Sequence, residues 1–253
     1  MQYQHNYLKN VIFRIDFAGP LSQGKKHIDG FYNLVKDVFP KRESIKRTMI
    51  RAEVITQKDR NRVSQSTETV TDYKFSDENR ERTLVLEPKS NINISFEVYK
   101  NSKEFKEIVG LVIDAAFKIY GDTEIKRIGL RYINEIVLSE GNAFDWVAFI
   151  NRSLISCLDF RLEREDLSRS MGIFEFNREN HNVLFQFGMY NPDYPNSIAQ
   201  KVFVLDYDCY STDLLNMSNV MNMLETLQKD EEALFERSIE NGLREKMVVV
   251  DSE

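Results

Sequence analysis

Single helices in this chain alternate with blocks of consecutive strands, and this order limits the fold more than any other sequence feature. Alternating apolar residues predict a strand at 7–18, and helical spacing predicts a helix at 30–39. Three or four strands follow, at 45–56, 62–75 and 82–99. Asn101, with Glu104 three residues later, then predicts the start of a second helix, which Gly121 closes.

The same order returns in the second half of the chain. A strand is predicted at 125–138 and a helix at 143–158. Three more strands are predicted at 169–177, 181–190 and 200–210, and a last helix at about 217–246. Strand blocks between helices indicate the α+β class with antiparallel sheets. We therefore predict two strand-helix-strands-helix halves, 1–122 and 123–253, within one compact unit that ends in a long C-terminal helix. No residue-level repeat accompanies this order.

Charge and hydropathy restrict the partners and the compartment. The net charge of −6 argues against a general affinity for nucleic acid or anionic membranes. No apolar run approaches the roughly 18–20 residues that cross a bilayer, and MQYQHNYLKN does not have the pattern of a signal peptide. We expect a cytoplasmic protein without a membrane partner, in which Cys157 and Cys209 are buried free thiols.

Motifs for cofactors, metals and nucleophilic catalysis are missing from the sequence. It contains no GxGxxG, Walker or GxSxG motif, and no CxxC or HExxH. We therefore predict no cofactor and no metal site, and the balance leans away from an enzyme. Asp206 and Asp208 share one strand face, about 7 Å apart. They could bind a divalent metal with a third ligand, but the favoured interpretation is a strand end exposed to solvent, or acids that face the basic strand at 127–136.

The stretch RIGLRYINEI, residues 127–136, has an unusual distribution of polar residues. One strand face carries Arg127, Gly129, Arg131 and Glu135, whereas Asn134 lies in the apolar stripe of the other face with Tyr132. A glycine in mid-strand permits the close approach of another group. We predict that Glu135, Asp206 or Asp208 holds Arg131 in an arginine–carboxylate network. The alternative is an arginine pair that binds an anionic ligand.

Two further stretches leave alternatives open. Residues 41–62 carry eight Lys or Arg against three acids, which is typical of a solvated hairpin, or of a nucleic-acid surface. The C-terminal helix has an apolar stripe that we expect to be buried either on a sheet or in a homodimer. The stripe comprises Val220, Met221, Leu224, Leu227, Leu234, Phe235 and Ile239.

The motifs resemble those of a sporadically distributed, uncharacterised bacterial family of proteins of about this length. The resemblance rests on RIGLRYINEI after EFKEIVGLVIDAAFKIY, with LKNVIFRIDF, VLDYDCY and LFERSIENGLREKM in the same order. The chain departs from the family in lacking a proline-rich segment before the first strand. The resemblance implies a defence-type or mobile-element locus and no catalytic residues. It transfers only the motif positions Arg127, Gly129, Arg131, Tyr132, Asn134, Asp206 and Asp208.

Two functions fit the sequence. The favoured one is a non-catalytic binding or regulatory protein, with a protein partner or self-association through the C-terminal helix. The alternative is an enzyme or sensor that acts on a nucleotide or nucleic acid. The candidate ligand-binding residues are Arg127, Arg131, Tyr132, Asn134, Asp206 and Asp208.

Overall fold

The structure, a computed structural model, describes residues 2–22, 24–57, 60–160 and 167–250. Its strands are β1 (Gln2–Tyr3), β2 (Leu8–Phe17), β3 (Lys41–Gln57), β4 (Arg60–Ser76), β5 (Arg82–Glu87), β6 (Asn91–Phe96), β7 (Glu124–Leu138), β8 (Ser170–Asn177), β9 (Asn182–Met189), β10 (Lys201–Ser211), β11 (Leu215–Asn216) and β12 (Val249–Val250). Its α-helices are α1 (Lys25–Val35), α2 (Ser102–Tyr120), α3 (Arg152–Ile155), α4 (Val220–Ser238) and α5 (Asn241–Met247).

One antiparallel sheet contains most of the described strands. Its order is β3-β4-β5-β6-β2-β7-β10-β9-β8, and β11 also pairs with β7. The α+β class and the antiparallel pairing are confirmed. The expectation of a sheet for each half needs correction, because the pairing of β2 with β7 joins both halves into a single sheet.

The two halves have related strand orders about this central pair. In each half the first strand lies at the centre, the last strand pairs with it, and the others run outward in reverse sequence order. This gives β2-β6-β5-β4 on one side and β7-β10-β9-β8 on the other. The structure thus repeats the element order of the sequence in space, with an additional edge strand, β3, in the first half.

The apolar core lies on one face of the sheet, which we call the helix face. Phe13 of β2 is opposite Leu130 of β7, and both are fully buried. Helices from both halves cover this face. Phe105 of α2 contacts Phe96 of β6 with ring centroids 5.2 Å apart, and α4 packs on β7 and β10. Because side chains alternate along a strand, every second residue points the other way, onto a surface that we call the open face.

The best-defined helix end is the start of α2. The Asn101 side chain accepts a hydrogen bond from the Glu104 main-chain N–H, as the capping pattern predicted. At the other end Gly121 has φ of 80°, a conformation that favours glycine. None of the helices in the described ranges is long and apolar enough to cross a membrane.

Two predicted helices differ from the structure. Residues 143–158 form turns and only the short helix α3. The predicted helix at 217–246 is divided, because Ile239 between α4 and α5 is extended and bridges Ile150. The thiol prediction is correct for Cys209, which is buried, and wrong for Cys157, which is exposed.

The apolar stripe of the C-terminal helix packs on the chain's own sheet. Leu224 and Leu227 are fully buried and Leu234 is nearly so, while Met221 and Phe235 are partly buried against the same core. Of the two sequence-based alternatives, burial on the sheet is therefore the one that the structure shows.

Replacing Leu227 with aspartate should lower the free energy of unfolding by about 4 kcal/mol or more, because it removes a buried side chain and buries a charge. Urea unfolding followed by circular dichroism measures this loss. Leu214→Asp is the matched control, since Leu214 is 62% exposed, and it should cost less than about 0.5 kcal/mol. Equal stability of the two variants would contradict the packing of α4.

Candidate functional site

The pairing of β7 with β10 assembles four of the six candidate residues on the open face. The register sets Asp208 opposite Arg131 and Asp206 opposite Ile133. Arg127 lies two residues before Gly129 on the same face of β7. We call Arg127, Arg131, Asp206 and Asp208 the Arg–Asp network. It lies at the centre of the sheet, next to the strand pair that joins the two halves.

Arg131 is held by a bidentate ion pair with Asp206. Its Nε donates to Oδ1 at 2.8 Å and its Nη2 donates to Oδ2 at 2.6 Å. The Asp206 side chain is 12% exposed and that of Arg131 39% exposed, so the pair lies at the edge of solvent. The hydrogen bond to Asp206 raises the pKa of Arg131 above its ordinary value. The prediction that a carboxylate holds Arg131 is confirmed.

Gly129 makes room for the second arginine. A Cβ at residue 129 would lie 2.9 Å from Nη1 of Arg127, so the guanidinium rests directly over the glycine. From there it stacks at 5.0 Å from the ring centroid of Tyr210, and its Nη2 lies 3.5 Å from Oδ2 of Asp208. The mid-strand glycine therefore serves the close approach of a side chain, as the sequence suggested.

The carboxyl group of Asp208 is affected both by burial and by the two arginines. Burial raises the pKa of Asp208, and the nearby charges of Arg127 and Arg131 partly offset this rise. In the described parts of the chain, no cluster of three or more His, Cys, Asp or Glu side chains could hold a metal ion. The structure thus brings Asp206 and Asp208 together with arginines, which is one of the two arrangements that the favoured interpretation of the sequence left open.

The other two candidates, Tyr132 and Asn134, lie on the helix face and do not share a site with the arginines. Tyr132 is 7% exposed, and its hydroxyl is 3.5 Å from that of Tyr99. The Asn134 side chain is buried and donates to the main-chain carbonyl of Leu205 at 3.3 Å. The structure therefore does not bring them into one site with Arg127 and Arg131, and their role in ligand binding stays a prediction. They line a separate cavity of about 160 Å³ on the helix face of the sheet.

Sequence reasoning missed a buried carboxyl group on the helix face of the sheet, on the side opposite to the Arg–Asp network. Glu231 of α4 is 0% exposed, and its carboxyl oxygens have no charged partner and no well-formed hydrogen bond among the described residues, only weaker contacts with the main chain and thiol of Cys209. Burial raises its pKa well above the ordinary value, while the main chain and thiol of Cys209 act in the opposite direction. The signal was present, because Leu227, Glu231 and Leu234 follow the i, i+4, i+7 spacing of the buried stripe.

The basic stretch at 41–62 forms part of the β3–β4 hairpin. Its first arginines are paired with acids: Arg42 contacts Asp29, and Arg47 contacts Asp72 and Glu87. Lys58 and Asp59 lie outside the described residues. At the base of the hairpin, the positive charge is thus neutralised within the chain.

Comparison of the sequence with protein-family models and with curated proteins gave no match.

Arg131→Ala should lower the free energy of unfolding by about 1–3 kcal/mol, because it leaves the mostly buried Asp206 carboxylate without its partner. Arg131→Lys should recover part of the loss, since an ammonium group cannot make the bidentate contact. Chemical denaturation of both variants provides the measurement. The control is Arg152→Ala, which breaks the exposed Arg152–Asp159 pair and should cost under about 1 kcal/mol. If Arg131→Ala were as stable as the wild type, the Arg–Asp network would have no structural role.

Glu231→Gln should stabilise the protein increasingly as the pH rises above about 4.5. The folded state binds the Glu231 proton more tightly than the unfolded chain, whose pKa is near 4.5. The resulting stability is complete below that pH and is lost as the pH rises toward the raised pKa, at up to about 1.4 kcal/mol per pH unit. The neutral amide avoids this loss. Unfolding curves of the wild type and Glu231→Gln from pH 4 to pH 8 test this prediction. A difference in the free energy of unfolding that stays constant across that range would contradict it.

Proposed function

We propose that this chain is a non-catalytic binding protein with a regulatory role, and that it recognises a protein partner with the open face of its sheet. We propose further that this role belongs to a bacterial defence-type or mobile-element locus, which is what the family resemblance of the sequence motifs implies. The observation that carries the proposal is the Arg–Asp network, which lies at the centre of a sheet face opposite to the helices.

The charge of the network favours a protein over a nucleic acid. Two arginines and two aspartates are paired, so their formal charges sum to zero. A phosphate backbone is bound through uncompensated Lys and Arg charges that replace its counterions. A neutral, geometrically fixed set of donors and acceptors instead favours the selective recognition of polar groups on a protein surface.

The surroundings of the network have the composition of a protein interface. Partly exposed aliphatic side chains and one tyrosine lie beside it on the open face: Ile12, Ile133, Leu184, Val204 and Tyr210. Arginine and aromatic residues are enriched at protein–protein interfaces. The Nη1 group of Arg131 makes no hydrogen bond to the described residues. It could therefore donate to a carboxylate or main-chain carbonyl of the partner.

Affinity purification of the tagged chain from its host, with mass spectrometry of the bound proteins, identifies the partner. Binding of the purified partner is then measured by calorimetry for the wild type, Arg131→Ala and Lys106→Ala. Arg131→Ala should weaken binding by about tenfold or more. Lys106→Ala should not, because Lys106 pairs with Glu225 in the helix layer, away from the open face.

A different result would support the alternative function. Divalent-metal-dependent cleavage of RNA or DNA, or tight salt-sensitive binding of either, would favour a nucleic-acid-acting enzyme or sensor if Arg127→Ala or Arg131→Ala abolished it. A protein partner bound equally well by Arg131→Ala and the wild type would exclude the open-face site proposed here.

A further inference from the structure

The strand β8 forms one edge of the sheet, and its outer side pairs with no described strand. Its inner side pairs with β9 along its whole length, from Ser170 opposite Met189 to Asn177 opposite Asn182. In an edge strand, alternate main-chain N–H and C=O groups point outward and are available to another strand.

This edge lacks the usual protection against strand pairing. Met171, Ile173 and Phe174 are 42%, 61% and 43% exposed. The strand SMGIFEFN contains a single charged residue, Glu175, and no lysine or proline. The opposite edge strand, β3, has seven charged residues among its seventeen. Proteins place charges on edge strands to prevent pairing. The β3 edge therefore carries this protection, whereas the β8 edge has almost none of it.

We propose that β8 pairs in antiparallel fashion with β8 of a second copy of this chain, so that the two sheets continue into one across a twofold axis. An antiparallel pair of identical strands is self-complementary, which is the requirement for a closed twofold dimer. This interface is separate from the Arg–Asp network, and the proposal does not depend on the partner proposed for the open face.

Charge complementarity at the ends of β8 supports the second copy as the occupant. Arg169 precedes the strand and Glu179 follows it, and both are exposed. Each lies five residues from Phe174. With Phe174 on the twofold axis, antiparallel pairing brings Arg169 of each copy to the level of Glu179 of the other. A parallel arrangement would instead place like charges side by side.

The same register joins two aromatic clusters on the helix face. The Phe174 ring lies 4.9 Å from that of Phe187 and 6.3 Å from that of Phe185, measured between centroids. In the dimer, the exposed Phe174 rings of the two copies would face each other across the axis. Pairing would therefore remove apolar surface from water in addition to satisfying main-chain groups.

Sedimentation equilibrium over a range of protein concentrations tests the proposal. The wild type should approach twice the 29.7 kDa mass of the chain. In this register residue 173 lies opposite Glu175 of the other copy, so Ile173→Glu places like charges side by side and should raise the dimer dissociation constant by about tenfold or more. Ile50→Glu is the matched control, because Ile50 is 69% exposed on the opposite edge strand. It should leave the dissociation constant within about twofold.

Hydrogen exchange locates the contact. Amides of 170–177 in the wild type should become more protected as the protein concentration rises, and those of Ile173→Glu should not. Circular dichroism verifies folding, and Met171→Glu replaces Ile173→Glu if that variant is misfolded. A wild type that is monomeric at its highest soluble concentration overturns the proposal, even if it binds an added extended peptide. A dimer that persists equally in the folded edge variant overturns it as well.

Discussion

The antiparallel pairing of β2 with β7 is the interaction on which the rest of the molecule depends. It joins the strand blocks of the two halves, so that their helices cover the same face of one continuous sheet. It also fixes which residues of β7 face the core. Leu130 is opposite Phe13 on the helix face, and Arg131 is opposite Ile12 on the open face. A slip of one residue would exchange these environments and put two arginines into the apolar core.

Local sequence patterns predicted the strands well, because alternation follows directly from a sheet with one buried face. The two helix errors have a common cause that no local pattern reveals. Ile150 and Ile239 form an isolated bridge, which holds Ile239 in an extended conformation and ends α4 at Ser238. The same bridge fixes Ile150, which lies just before α3. Residues 143–158 therefore do not form one helix, although their apolar residues have helical spacing. A tertiary contact between distant segments thus overrides the helical preference of both.

The candidate site was predictable to the extent that it follows from strand geometry. Alternation placed Arg127, Gly129, Arg131 and Glu135 on one face, and the two arginines there indicated a carboxylate partner. The identity of that partner depends on the register of β7 with β10, which is a non-local property. Asp208 is directly opposite Arg131, yet the bidentate contact is with Asp206 on the diagonal. Arg127 folds over Gly129 and takes Asp208 instead.

The two faces of β10 connect the network to the buried carboxyl group beneath it. Asp208 lies on the open face, and the next residue, Cys209, lies against Glu231 on the helix face. The negative charges of Asp208 and Asp206 both raise the pKa of Glu231, so the acids act on it across the thickness of the sheet. The Arg–Asp network therefore does more than connect two strands, because its aspartates also act on an acid that is buried without a charged partner.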